Sequence, residues 1–317
     1  MHLIGAGAKP ARILVVALAV LIAACDYTPD QGATPTPNPA AGFPLTVRDG
    51  SGASVTIKAQ PQRIVSLSPT ATEMLFAIGA GSQVVAVDDQ SNYPANAPTT
   101  KLSGFQPNIE AIAAYKPDLV VAADDTGSLV HSMTDLTVPT LIEPAAKNLD
   151  DSYAQIKQLG QATGHVARAQ TTVTQMQTKI AQAIKPIAPL DPPLTVYHEL
   201  DDTYYSATSS TFIGQIYKLL GLENIADKAK GAASDYPQLS SEYIVSANPD
   251  LIVLADTRCC HQDAQTVAAR PGWNHISAVR SGYVIGVDDD VASRWGPRIA
   301  EFMLIIALRL KQLETNF

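Results

Sequence analysis

Asn108-Ile109-Glu110-Ala111-Ile112 leading to Pro117-Asp118-Leu119-Val120-Val121, and Ser241-Glu242-Tyr243-Ile244 leading to Pro249-Asp250-Leu251-Ile252-Val253, carry the reading of the fold. In both stretches a glutamate stands seven residues before Pro-Asp, and the Pro-Asp opens an apolar run that closes on Ala-Asp, at Ala123-Asp124 and Ala255-Asp256. A short helix with Glu in its first turn, followed by Pro-Asp and a buried strand, is an α/β unit. Two copies with the same internal spacing, one in each half, make an internal repeat and predict two similar lobes.

Leu45-Thr46-Val47-Arg48 and Ala53-Ser54-Val55-Thr56-Ile57 flank Asp49-Gly50-Ser51-Gly52, the pattern of a hairpin with Asp-Gly in its turn. Arg63-Ile64-Val65-Ser66-Leu67 reads as a buried strand running into Ser68-Pro69, a helix start with proline in the first turn, and Gly79 stops that helix. Further strands are expected at 83–87, 119–123 and 139–142. From Asp150 the pattern is helical and breaks at Gly164, after which Val173, Met176, Ile180, Ile184 and Ile187 step by three or four. That stripe belongs to one amphipathic helix at 165–188. Its roughly 22 helical residues would span about 33 Å, enough to run from one lobe to the other.

The second half repeats the theme. It holds a strand at 195–197, a helix at 212–220 capped from Ser209-Ser210-Thr211 and ended by Gly221, and a strand at 283–287 ending in Asp288-Asp289-Asp290. A terminal helix at 297–313 completes it. The expected fold class is α/β: two similar lobes with parallel-type sheets, at 43–164 and 189–317, joined by one long interlobe helix at 165–188. Ligands of such sheets gather at the carboxyl ends of the strands.

The amino end assigns a compartment. Lys9 and Arg12 flank an apolar run at 13–24, and Ile22-Ala23-Ala24-Cys25 puts small residues directly before a cysteine. This reads as an export signal at 1–24, too short to span a bilayer, which takes about 18 apolar residues or more. It resembles a bacterial lipobox, which implies that Cys25 receives lipid; the alternative is a plain secretory signal with Cys25 left as a thiol. Residues 25–42, with Thr34-Pro35-Thr36-Pro37-Asn38-Pro39, read as an extended tether. The protein is therefore expected to be exported and lipid-anchored to the outer face of the cytoplasmic membrane, touching the membrane only through that anchor.

The formal charge of −8 becomes −10 without residues 1–24, with 20 basic against 30 acidic side chains. Such a balance excludes the basic footprint of a nucleic-acid partner. Cys259 and Cys260 are neighbours, with no C-x-x-C zinc pattern and no loop between them for a disulfide to staple. A vicinal disulfide, two thiols, or a metal site shared with His261 are the open readings.

The lipobox, Gln62-Arg63-Ile64-Val65-Ser66-Leu67-Ser68-Pro69, the doubled Glu and Pro-Asp unit, the interlobe helix and Trp295-Gly296-Pro297-Arg298 together resemble the substrate-binding proteins of iron-siderophore, haem and cobalamin ABC importers. The likeness covers nearly all of 43–317. It implies a monomer whose two lobes, joined by a rigid helix, hold a metal chelate in a shallow cleft, with an ABC permease dimer and its ATPase as partners. It implies that Glu110 and Glu242, one per lobe, meet arginines of the permease, a charge pairing that favours docking rate and register. The same two acids also suit the first turns of helices behind Asn108, Ser240 and Ser241 as caps.

For the cleft, the resemblance implies ligand contact by Phe105, Tyr205, Tyr236, Asp290 and Arg294, with Trp295 in the cleft wall or the core. Aromatic faces supply area for a flat macrocycle and a few polar groups orient it. Pairing of Arg294 with Asp290 is the alternative role for that arginine. Cobalamin-binding members typically carry tryptophans at the aromatic positions and a tyrosine where this chain has Gln90. A ferric siderophore therefore stands level with a cobalamin or related corrinoid, and a haem receptor follows.

No G-x-S-x-G elbow, H-E-x-x-H, phosphate-binding G-x-x-x-x-G-K-[ST] or dinucleotide glycine motif after a strand occurs, so neither an exported hydrolase nor another enzyme is expected. His131, His165, His198, His261 and His275 lack the spacing for one ion, and no metal site is expected. A zinc or manganese receptor with direct side-chain ligation is the different-class alternative. His198, after a strand, could face the cleft, the alternative being a hydrogen-bonded loop histidine. The expected protein is an extracytoplasmic solute-binding lipoprotein that captures a metal chelate, keeps no permanent cofactor, and delivers its cargo to an importer.

Overall fold

The computed structural model describes residues 42–189, 191–229 and 234–314; the export signal, Cys25 and all of the tether but Gly42 lie outside the described residues. The hairpin pairs β1 (Leu45–Arg48) with β2 (Ser54–Ile57) in antiparallel register. Its loop covers 49–53 and is longer than a two-residue Asp-Gly turn, because the Asp49 carboxylate organises it. Oδ1 accepts from the Ser51 and Ala53 N–H groups at 3.0 and 2.9 Å, and Gly52 takes φ +89° to close the bend. Oδ2 accepts the Ile142 N–H at 3.1 Å, tying the hairpin to the edge of the first sheet.

The first lobe runs through β3 (Ile64–Leu67), α1 (Pro69–Ala77), β4 (Val84–Val87), α2 (Ile109–Ala113), β5 (Leu119–Ala122), α3 (Leu129–Asp135) and β6 (Thr140–Ile142). Two long helices follow, α4 (Leu149–Thr163) and α5 (Val166–Ile184). The second lobe runs through β7 (Thr195–Glu199), α6 (Phe212–Leu219), β8 (Glu223–Asn224), α7 (Ser241–Ala247), β9 (Leu251–Leu254), α8 (Ala264–Ala268), α9 (Ser277–Arg280), β10 (Val284–Gly286), α10 (Asp289–Ser293) and α11 (Ile299–Glu314). Both sheets are parallel, with strand orders β4-β3-β5-β6 and β8-β7-β9-β10. Position for position these are the same order, so β5 and β9, the strands of the repeated unit, occupy equivalent interior places.

The Pro-Asp of the repeat now has a physical reason. The Asp118 carboxylate accepts the N–H groups of Gln62 and Arg63, both at 2.8 Å, at the entry to β3. Asp250 accepts the N–H and O–H of Thr195, at 2.9 and 2.8 Å, at the entry to β7. Each aspartate thus pins the start of the neighbouring parallel strand. Lys116 and Asn248, directly before the prolines, take φ 50° and 47° and turn the chain out of the helix. β5 and β9 are buried along their whole length, as strands covered on both faces must be.

Gly164, at φ 80°, ends α4, and α5 starts two residues later. α5 has 19 residues, about 28 Å, and is shorter than the apolar stripe predicts. Lys185 keeps helical angles, φ −49° and ψ −39°, and donates to the Ala181 carbonyl, but Pro186 has no N–H with which to continue the ladder. Ile187 still packs on the core from outside the helix. α11 begins at Ile299, past Pro297 rather than at it. α5 lies against α4 and α11, and buries Val173, Met176 and Ile180 between them. One apolar core is continuous from the first sheet through these helices into the second, and a smaller cluster covers the other face of the first sheet. Because that core crosses the junction, α5 is a packed strut and not a hinge. No described helix is long and apolar enough to cross a membrane.

Candidate functional site

The residues expected around the ligand come from the carboxyl ends of strands in both sheets. Phe105 follows Gly104, where an added Cβ would lie 2.5 Å from the Leu67 carbonyl oxygen. Only glycine lets this segment lie so close to the end of β3, and it carries Phe105 to the carboxyl edge of the first sheet. Tyr205 returns to the end of β7, its carbonyl accepting the Leu200 N–H at 2.9 Å, and it bridges Gln238 in the strand-like segment that holds Tyr236. Phe105, Tyr205 and Tyr236 are 77 %, 40 % and 47 % exposed, so all three present aromatic surface to solvent. Asp290 stands in α10, just beyond the end of β10. A groove of about 910 Å³ between the hairpin and the β6 edge is lined by none of these residues.

Arg294 and Trp295 are used differently from a simple ligand wall. Arg294 is buried and donates to Glu73 at 2.8 Å, Asn92 at 3.0 Å, the Gln90 carbonyl at 3.0 Å and Asp290 at 2.6 Å. Arg298 donates to both oxygens of the same Glu73, at 2.9 and 2.6 Å, and its guanidinium lies 4.2 Å from the centre of the Tyr93 ring. Trp295 Nε1 donates to Gln155 of α4 at 2.8 Å. Asn92 Nδ2 donates to Asp290 Oδ2 at 2.7 Å. Glu73, Gln90, Asn92, Tyr93 and Gln155 belong to the first lobe and Asp290, Arg294, Trp295 and Arg298 to the second, so this network closes the seam between lobes. Sequence reasoning missed Glu73, Asn92 and the role of Arg298. The available signal was a glutamate on α1 among Ala71, Met74, Leu75 and Ile78, a face with no water to solvate it.

The acidic triplet is fully employed. Asp288 caps α10 through the N–H groups of Asp290 and Val291, and Asp289 accepts from the backbone of Arg258 and Cys259. Cys259 and Cys260 form a vicinal disulfide. His198, expected as the histidine able to reach the cleft, instead lies in the core of the second lobe. Its Nδ1 is 2.6 Å from the Tyr217 hydroxyl, its ring packs edge-on to Phe302, and burial lowers its pKa to about 3. It is a neutral core histidine because β7 is covered on both faces. No three His, Cys, Asp or Glu side chains among the described residues converge as a metal site would require.

Three carboxyls just past the ends of strands have raised pKa values. Burial raises the pKa of Asp88, at the end of β4. Burial, then the charge of Asp49, raises Glu143 to about 8; burial, then the charge of Glu199, does the same for Asp256. The carboxyl oxygens of Glu143 and Asp256 have no hydrogen-bond partner among the described residues. Glu199 itself is held by Arg270 through two bonds of 2.6 Å.

Glu110 and Glu242 each sit in the first turn of a helix, α2 and α7, behind the N-caps Asn108 and Ser240. A helix that leads into the next strand of a parallel sheet runs counter to that strand, so both glutamates lie on the carboxyl-edge side of their sheets. Both are exposed, and neither has an ion-pair partner among the described residues.

Residues 64–291 match the model of one protein family, described as periplasmic binding protein. An ABC transporter substrate-binding lipoprotein of Bacillus subtilis (strain 168) is 31 % identical over 293 residues, 89 % of this chain and 90 % of its own length. A cobalamin-binding protein of Halobacterium salinarum is 30 % identical over 312 residues, 94 % of this chain and 83 % of its own. The crystal structure of a periplasmic vitamin B12 binding protein of Vibrio cholerae superposes with a TM-score of 0.68 at 23 % identity, over 80 % of this chain and 98 % of that one.

Proposed function

The chain belongs to the periplasmic binding protein family, and from that premise we propose that it captures a corrinoid outside the cytoplasmic membrane and delivers it to an ABC importer. It binds and releases its cargo unchanged and performs no catalysis. The export signal and Cys25 of the sequence, with a relative named as a lipoprotein, support anchoring on the outer face of that membrane. Its partners are a permease dimer with its ATPase, met through Glu110 and Glu242. These exposed, unpaired acids, one on each equivalent helix, suit a partner that carries two matching basic sites.

One observation carries the choice of ligand. The arginines on the seam are already matched: Arg294 by Glu73 and Asp290, Arg298 by Glu73, and Arg258 by Asp288 and Asp290. An anionic chelate, such as a catecholate siderophore or the propionates of haem, meets acids there without an unmatched cation. A neutral macrocycle edged with amides meets three exposed aromatic faces, Phe105, Tyr205 and Tyr236, and polar groups such as Asp290 to orient it. The relative of Halobacterium salinarum named for cobalamin supports the same choice.

Calorimetric titration of the mature protein with cyanocobalamin, haem, a ferric catecholate and ferrichrome tests the reading. Saturable binding of cyanocobalamin, tighter than of the two anionic chelates, is expected. Preference for haem or the catecholate would overturn it.

A further inference from the structure

The strand order β8-β7-β9-β10 makes the segment leaving β9 the central one of the second sheet's carboxyl edge. It is flanked by the segment carrying Tyr205, after β7, and the segment carrying Asp290, after β10. This central segment contains Arg258, Cys259 and Cys260, the last two joined by their disulfide. It is held firmly: Asp289 accepts the Thr257 hydroxyl at 3.0 Å, the Arg258 N–H at 3.1 Å and the Cys259 N–H at 2.9 Å. The Cys260 N–H donates to the Asp256 carbonyl at 3.2 Å.

The Arg258 side chain is 59 % exposed, yet one of its nitrogens is anchored to Asp288 at 3.3 Å and to Asp290 at 3.1 Å. Asp290 in turn accepts from Asn92 of the first lobe. The guanidinium therefore sits on the seam between lobes, with Nε and the second Nη carrying no partner among the described residues.

We propose that residues 258–260 form a ligand-contacting lip of the cleft. The free N–H fork of Arg258 donates to a carbonyl oxygen of the ligand, and the neighbouring disulfide offers a polarisable apolar face. The covalent ring between adjacent residues and the bonds to Asp289 fix the lip before ligand arrives, which reduces the ordering cost of binding. The two acids beside Arg258 cancel its charge, so the lip recognises a neutral acceptor in preference to an anion. As to ligand class, the inference rests on the corrinoid reading above.

The test is calorimetric titration of the mature protein with cyanocobalamin and, separately, with ferrichrome, an uncharged ferric trihydroxamate. Arg258→Ala is expected to weaken binding about tenfold, and Arg258→Lys, which keeps charge but not the fork, to weaken it by less. Reduction of the wild-type disulfide is expected to loosen binding reversibly, with affinity restored on reoxidation; this avoids reliance on a Cys259→Ser, Cys260→Ser variant that fails to fold. Affinity unchanged by both Arg258→Ala and reduction, for a ligand the wild type binds, overturns the lip. If ferrichrome binds and cyanocobalamin does not, the corrinoid reading falls and the lip is judged on ferrichrome. Binding of neither overturns both.

Discussion

Glu73→Gln removes the anion that Arg294 and Arg298 reach from the second lobe, at 2.8 and 2.6 Å. The Glu73 side chain is 1 % exposed and those of the arginines 8 % and 14 %, so water cannot replace the lost charge. Arg294 keeps Asp290, but Arg298 is left with the face of Tyr93. Removing one partner of a buried ion pair costs about 3–5 kcal/mol, because the other charge stays buried. In a domain of this size each kcal/mol lowers Tm by about 2–4 °C, so a loss of about 6–20 °C is expected. Thermal melts followed by circular dichroism at neutral pH measure it. Replacing the whole cluster, Glu73→Leu with Arg294→Met and Arg298→Met, should recover most of that loss, since a packed apolar substitute for a buried ionic cluster is often neutral or stabilising. A Tm within about 2 °C of wild type for Glu73→Gln would refute the view that this cluster closes the seam.

Glu143 and Asp256 make stability depend on pH. Each carries a pKa raised to about 8, against 4.5 and 3.8 for the ordinary groups, so between those values the native state holds protons that the unfolded chain has released. Their contribution is complete below about pH 4 and is lost as pH rises through about 8. Denaturant titrations should show stability falling over that window, and Glu143→Gln should be the more stable protein at pH 9; a rise in wild-type stability towards pH 9 would contradict the assignment. In cells, Glu110→Lys with Glu242→Lys should abolish uptake while ligand affinity in solution stays unchanged. Normal uptake by that variant would remove the docking role.

The repeat was legible because its elements are local. Helix cap, first-turn acid, elbow and strand all fall within a short window, and the spacing itself identifies the copy. The fold class and the paired positions of Glu110 and Glu242 follow from that window, as do the two aspartates that clamp β3 and β7, although their clamping function does not. The end of α5 was the reverse case. Its apolar stripe continues to Ile187, but the helix stops earlier, because Pro186 has no N–H to extend the hydrogen-bond ladder past Lys185 and Ile187 reaches the core from outside the helix.

The site was less legible, and for one recurrent reason. Arg294 and Glu73 are 221 residues apart, so no periodicity or spacing links them. His198 lies in a strand buried on both faces, where alternation cannot say which side is the cleft. Arg258 becomes interesting only when β9 is known to sit between β7 and β10. From residues alone came two α/β lobes, their duplicated unit and a strut between them, since those rest on patterns that neighbours along the chain impose. The order of the strands, the charge cluster on the seam and the partners that silence or free each arginine were decided by tertiary structure, because burial and pairing are properties of what surrounds a side chain in space.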